Sequence, residues 1–198
     1  MIRGTSYVLP DSLYIGRVPP SLDTDRLTLT PHTLADFEEC ADMWADPVVT
    51  RFIGGRPQSS EDVWNRILRY RGLWALLGYG YWAVNERETG RYVGDVGFAD
   101  FHRDITPGLN GAPEVGWALA TWAHGQGFAT EAVRAALAWG DTHLDAKPGE
   151  SPRYVCLISA ENARSVRVAA KCGFRRAFDA KYKGNPTTVY ERLASSTT

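Results

Sequence analysis

A chain of 198 residues that is 44% hydrophobic and 12% aromatic has apolar surface enough for one sizeable core. Its formal net charge of −1 and pI near 6.4 leave no basic stripe of the kind a nucleic-acid partner selects. No apolar run approaches the roughly 20 residues of a membrane span, and the N-terminus lacks the charged-then-apolar order of a signal peptide, so a soluble, cytoplasmic protein without a membrane partner is expected. Cys40, Cys156 and Cys172 are odd in number and form no CxxC, and His32, His102, His124 and His143 show no ligand spacing. Neither a disulfide framework nor a metal is expected.

In chain order, residues 1–22 carry prolines and no sustained period, and read as an irregular arm that Tyr7 and Tyr14 could dock. Arg26 to Thr30 alternates polar and apolar residues and predicts the first strand. Thr33 with Asp36 resembles a capping box, after which Leu34, Phe37, Cys40, Ala41 and Trp44 share a helical face that stops before Asp46-Pro47. Arg51 to Gly55 is a flexible loop. Ser59 and Asp62 open a second helix, with Val63, Ile67, Tyr70, Leu73, Trp74 and Leu77 as its buried stripe, Gly78 as its stop, and Arg66, Arg69 and Arg71 as a solvated face. Tyr81 to Val84 and Arg91 to Phe98 form a hairpin across Glu86 to Gly90, and Phe101 to Ala112 is a polar loop.

The stretch Pro113 to Gly140 organises the chain. An apolar strand, Val115 to Leu119, leads into His124-Gly125-Gln126-Gly127, which opens directly into a helix with Ala132, Val133, Ala136, Leu137 and Trp139 inward and Thr130 and Glu131 in its first turn. Glycines beside unpaired N–H groups and the positive end of a helix dipole suit an anion. Neither GxxxxGK[ST] nor GxGxxG fits, because no Lys follows Gly127 and Thr130 stands where the third glycine would. Beyond a turn at Ala146 to Pro152, Tyr154 to Ile158 is a short strand. Asn162 caps a helix with Val166, Ala169 and Ala170 inward and Gly173 at its end, and Phe174 to Tyr182 pairs with Pro186 to Leu193 across Lys183-Gly184-Asn185.

His124-Gly125-Gln126-Gly127-Phe128-Ala129 resembles the [Q/R]-x-x-G-x-[G/A] loop of the GNAT N-acetyltransferase superfamily. Trp122 to Ala132 is similar to W-x-x-G-x-G-[YF]-A-T-E-A, of the branch that includes acetylases of ribosomal-protein N-termini. Asp23 to Pro31 and Val93 to Phe98 resemble further phrases of that branch, as does Asn162 to Phe174, which follows N-x-x-S-x-[RK]-[VI]-x-x-K-x-G-F. The resemblance covers residues 23–193, leaving the arm and a tail at 194–198. It implies an α/β (α+β) fold: a mixed, mostly antiparallel twisted sheet flanked by helices on both faces.

It also implies a reaction: transfer of acetyl from acetyl-CoA to a primary amine, a small molecule or a peptide N-terminus, by direct attack and without a metal. The pyrophosphate would lie on His124, Gly125, Gln126, Gly127, Phe128, Ala129 and Thr130, and pantetheine on the backbone of Trp117, Ala118 and Leu119, with Asn162 and Ser165 nearby. Glu114 would act as base and Ser165 as acid to the departing thiolate, with Asp179 and Tyr190 as alternatives. The chain departs from the pattern at His124, where Gln or Arg is usual, and at Ala169, where many relatives have a tyrosine. Those departures are what favour the second reading, a non-catalytic CoA-binding or interaction protein on the same fold. Arg51 to Arg56, Asp100 to Asp104 and the terminal hairpin, as cleft borders, mix both charge signs and make no acidic trough for a polycation. A homodimer stays open.

Overall fold

The computed structural model describes residues 19–144 and 152–194, so Tyr7, Tyr14 and all but Pro152 of the 146–152 turn lie outside the described residues. Eight strands form one sheet: β1 (Leu22–Asp23), β2 (Leu27–Pro31), β3 (Tyr81–Glu86), β4 (Tyr92–Ala99), β5 (Glu114–Leu119), β6 (Arg153–Ile158), β7 (Arg175–Tyr182) and β8 (Asn185–Leu193). Their order is β1-β2-β3-β4-β5-β6-β8-β7, and every neighbouring pair is antiparallel except β5 with β6. Helices α1 (Phe37–Ala45), α2 (Pro47–Thr50), α3 (Ser60–Leu77), α4 (Phe128–His143) and α5 (Ala163–Lys171) complete the fold.

Side-chain alternation along β5 shows how the layers are built. Val115, Trp117 and Leu119 point into the main core with α4, while Ala118 packs with Cys40, Met43 and Trp44 of α1 and Val63 and Ile67 of α3. The sheet therefore has α4 and α5 on one face and α1 and most of α3 on the other. The main core is centred on edge-to-face indoles: Trp82 lies 4.8 Å from Trp74 and 5.3 Å from Trp139, centroid to centroid.

Several elements differ from the sequence expectation, each for a local reason. Leu34 belongs to a 3₁₀ turn, Leu34–Asp36, whose tighter winding breaks phase with α1; it is 72% exposed, and Met43 takes a place on the buried face instead. Asp46-Pro47 ends α1 but also starts α2, because the Asp46 carboxylate accepts the Val48 N–H at 2.8 Å and Pro47 suits a first helical position. Leu22, assigned to the arm, pairs with Leu29 at the sheet edge, and the carbonyl of Pro20 accepts the Trp82 indole N–H. Ala170 is exposed while Val168 packs on the core. Arg66 is not part of a solvated face: its guanidinium stacks 3.6 Å from the Trp44 ring centroid and donates to Gln58 and to the Tyr70 hydroxyl.

One charge lies at the centre of the α1–α3 layer. Asp95 of β4 is fully buried, and its carboxylate accepts from His32 Nε2 (2.7 Å), the Trp44 indole (2.8 Å), the Tyr92 hydroxyl and the Tyr70 hydroxyl (3.4 Å). Burial pushes the Asp95 carboxyl up, but the His32 imidazole and the hydrogen bonds outweigh it and hold it below the ordinary aspartate range. Among the described residues, buried His32 Nδ1 has no hydrogen-bond partner.

Just before Asp95, β4 bulges, since Val84 pairs with Gly94 and Asn85 with Tyr92. Gly94 has φ +152°, and a Cβ there would sit 2.1 Å from the Ala118 carbonyl oxygen. Gly94→Ala is accordingly expected to destabilise the fold by about 3 kcal/mol through backbone strain and the clash against β5. A chemical denaturation midpoint equal to that of the unsubstituted chain would contradict this.

Candidate acyl-transfer site

Strands β5 and β6 share a single register pair, Glu114 with Val155, next to which the Pro113 carbonyl accepts the Val155 N–H at 3.1 Å. Beyond that pair the two parallel strands have no ladder between them, and a gap opens toward their carboxyl ends. Both strands then lead into helices, β5 into α4 and β6 into α5, so two helix N-termini flank the gap. A site at the carboxyl ends of diverging parallel strands follows from this topology.

The backbone of β5 explains what the gap offers. The Ala120 N–H donates to Val93 and the Phe98 N–H to Gly80, which fixes the alternation: the peptide groups of Gly116 and Ala118 turn to β4, and those of Trp117 and Leu119 face the gap. Ala118, expected among the strand contacts, therefore spends its backbone on β4. Trp117 presents an open N–H and C=O edge that an extended amide-bearing chain could pair with.

The loop above the gap is shaped by two left-handed glycines, Gly125 (φ +80°) and Gly127 (φ +85°), with nothing within 4 Å of the place a Gly125 Cβ would occupy. Gly127 is the N-cap of α4 and has no side chain to cap with, so the first-turn N–H groups of Phe128, Ala129 and Thr130 point out of the helix end without an intrahelical acceptor. Arg26 secures this end. It donates to both the Gln126 carbonyl (3.0 Å) and the Glu131 carboxylate (2.8 Å from Nε), and its guanidinium lies 4.6 Å from the Phe128 ring centroid. Burial pushes the Glu131 carboxyl up, but the Thr24 hydroxyl and Arg26 outweigh it and hold it low. The arrangement balances a first-turn carboxylate with an exposed cation and leaves the helix end suited to an anion.

His124 is tied into the loop rather than turned outward. Its Nε2–H donates to the Leu119 carbonyl at 2.9 Å, and its Nδ1 accepts from Arg164 Nη1 at 3.2 Å. That tautomer uses the only N–H of a neutral imidazole, so His124 braces the loop against α5 and its hydrogen bond to a ligand is not available in this arrangement. The Gln126 side chain likewise turns back, to the Trp122 carbonyl at 2.8 Å. Across the gap, the Asn162 side-chain oxygen Oδ1 caps α5 by accepting the Ser165 N–H at 3.2 Å, and Ser165 is partly buried in the first turn.

Glu114 stands at the closed end of the gap, within β5 rather than before it, on the sheet face away from α4 and α5. Its carboxylate is 7% exposed by residue and forms a two-pronged pair with Arg103, Nη2 to Oε1 at 2.6 Å and Nε to Oε2. Arg103 is itself placed between aromatic rings, 4.8 Å from the Phe101 centroid and 4.5 Å from that of Tyr182. The other two acid–base candidates lie elsewhere: Asp179 is engaged by Arg176 and Thr188 on the edge hairpin, and Tyr190 packs on the α4–α5 side opposite Cys156. Ala169 is fully buried and supplies no hydroxyl. Sequence alone gives no role to Arg26, or to Arg103 beyond its place in the Asp100–Asp104 cleft border. Arg26 lay within a matching phrase and was legible there, whereas Arg103 sits in an aperiodic loop.

The model of the acetyltransferase (GNAT) domain matches residues 26–175. The chain belongs to the GNAT acetyltransferase family. An acetyltransferase of Agrobacterium tumefaciens, of known structure, is 29% identical with a TM-score of 0.73, covering 87% of this chain and 94% of its own. The uncharacterized N-acetyltransferase p20 of Bacillus licheniformis is 26% identical over 157 residues, 79% of this chain and 83% of that protein. The spermidine N-acetyltransferase of Vibrio cholerae, solved with CoA and spermine, shares the fold at 16% identity, with a TM-score of 0.66 over 86% of this chain and 97% of its own. Membership of the family supports acyl transfer as the activity. Among the described residues no helix is long and apolar enough to cross a membrane, and no group of three or more His, Cys, Asp or Glu could hold a metal ion.

Proposed function

We propose that this GNAT acetyltransferase moves the acetyl group of acetyl-CoA onto the primary amine of a small molecule or peptide N-terminus by direct attack. The observation that carries the reading is the gap between β5 and β6, capped by an α4 N-terminus whose first-turn N–H groups have no side-chain cap. The N–H groups of Phe128, Ala129 and Thr130, with Gly125 and Gly127 allowing close approach, would hold the pyrophosphate. The gap-facing edge of Trp117 would pair with the pantetheine amides. Acetyl-CoA supplies the activated thioester, and the protein's part is position and proton handling.

An amine attacks only when neutral, and an amine of pKa about 10 is mostly protonated near pH 7. Glu114, at the closed end of the gap, would accept that proton directly or through water as the C–N bond forms. Ser165, in the first turn of α5 on the gap's other side, would donate a hydrogen bond to the sulfur that leaves. A parent thiol pKa of about 8.5 makes this help modest, so Ser165→Ala is expected to cost less than Glu114→Gln.

Glu114→Gln should lower turnover by about 100-fold, most severely at low pH where more of the amine is protonated, with acetyl-CoA affinity nearly unchanged. Ser165→Ala should lower it about 10-fold. Steady-state rates from pH 6 to 9 check both. Full turnover in both variants at every pH would show that solvent and positioning suffice and that these two assignments are wrong.

A further inference from the structure

On the α1–α3 side of the sheet, between the 101–112 loop and the start of β5, lies a cavity of about 270 Å³ lined in part by Asp100, Phe101, His102, Arg103, Asn110 and Glu114. Its volume lies just under the roughly 300–1,000 Å³ of drug-sized pockets and suits a small molecule. The loop that forms it is anchored: Ile105 packs with Val155 and Val189, and the Leu109 carbonyl accepts from Arg153 at 3.1 Å. The cavity thus reaches the carboxylate proposed as base from the face opposite the CoA helices, where an acceptor would have to arrive.

Its charges are unusual in being matched in pairs. The Asp100 carboxylate accepts the His102 backbone N–H at 2.9 Å, with His102 Nε2 at 3.7 Å, and Glu114 is held by Arg103. A polyamine would bring a second ammonium to a wall whose carboxylates already have cationic or N–H partners, and a peptide N-terminus would bring a neutral carbonyl beside its amine. An α-amino acid carries an ammonium and a carboxylate on one carbon. The Arg103–Glu114 pair presents a cationic donor edge and an anionic acceptor edge side by side, and its two bonds to Glu114 use two of the five N–H donors of a guanidinium. Rings of Phe101 and Tyr182 against the guanidinium hold its plane, so that its edge is directed rather than swinging.

We propose that the acceptor is a free α-amino acid or a close analogue, its ammonium on Glu114 and its carboxylate on Arg103. The inference rests on the acetyl-transfer reading and narrows it. Arg103 is a binding residue here, and it also orients Glu114. The step itself balances without another reactant: the ammonium gives one proton to Glu114, the neutral nitrogen bonds to the acetyl carbon, the C–S pair leaves on sulfur, and the second nitrogen proton passes through water to the thiolate while Glu114 releases its own proton to solvent.

The test compares initial rates of acetyl transfer from acetyl-CoA to free α-amino acids, the matching carboxamides, spermidine, and short peptides with free N-termini. Free amino acids should exceed their carboxamides in kcat/KM by at least about 10-fold, the scale of one charge-assisted pair. Arg103→Gln should abolish that preference, chiefly by raising KM for the free acid, and Arg103→Lys should restore part of it. Equal rates for acid and carboxamide, or a preference for spermidine or peptides, would overturn the amino-acid inference while leaving acetyl transfer standing. Bound acetyl-CoA with no transfer to any acceptor would overturn both. The acid–carboxamide comparison needs no substitution, so it decides the matter even if the Arg103 variants do not fold.

Discussion

Gly127→Glu is expected to lower acetyl-CoA affinity by at least about 100-fold, equivalent to about 2.7 kcal/mol. The new carboxylate would stand at the mouth of the α4 N-terminus, where it would repel a pyrophosphate and compete for the same first-turn N–H groups. Backbone strain contributes separately, because residue 127 has φ +85° and a side chain there costs about 1–2 kcal/mol of stability. Gly127→Ala carries that strain without the charge, and its Cβ would meet only Arg26 Nη2 at 3.4 Å. It should keep most of the affinity. Titration calorimetry on both folded variants separates the effects, and unchanged affinity in Gly127→Glu would remove the phosphate site from α4.

Asp95→Asn should strongly destabilise the fold. The carboxylate accepts from four donors, His32, Trp44, Tyr70 and Tyr92, and an amide turns one acceptor into a donor facing other donors. Breaking a buried ionic network from one side costs about 3–5 kcal/mol, against a total stability of about 5–15 kcal/mol for a domain. The melting temperature should fall by roughly 10 °C, since each kcal/mol is worth about 2–4 °C at this size.

The same network gives an acid limb. Because the folded pKa of Asp95 lies below the unfolded value of about 3.9, its contribution is fully present above that value and is lost as pH falls through the folded one. Thermal melts from pH 7 to 3 should therefore show stability dropping at the acid end in the unsubstituted chain, with a shallower drop in Asp95→Asn. A variant that melts at the parent temperature would mean that the four donors find other partners.

Local signals in the sequence carried most of the framework. The Ser59–Asp62 capping box and Gly78 at φ +73° are short-range devices that stand where the residue types require them, and the terminal turn is Lys183-Gly184, one residue shorter than read because Asn185 begins β8. The glycine loop before α4 was legible for the same reason, since its glycines and the helix start are contiguous in sequence. What could not be read depends on residues that meet only after folding. Asp95 sits in a glycine-rich strand, and of its partners only Tyr92 shares that strand, while His32 follows β2, Trp44 lies on α1 and Tyr70 on α3. The burial of Glu114 leaves no signal in the sequence, because Arg103, 11 residues away across an aperiodic loop, supplies no pattern. His124 looked like an anion donor, and only the approach of Leu119 and Arg164 shows its N–H committed inside the loop.

The most direct measurement is CoA thiol release from acetyl-CoA with and without a primary amine, read together with the mass of the acceptor. Amine-dependent release with one acetylated amine formed per CoA is the predicted result. Acetyl-CoA that binds at α4 yet yields no amine-dependent CoA and no acetylated product would contradict it, and would leave a CoA-binding protein that keeps the fold without the chemistry.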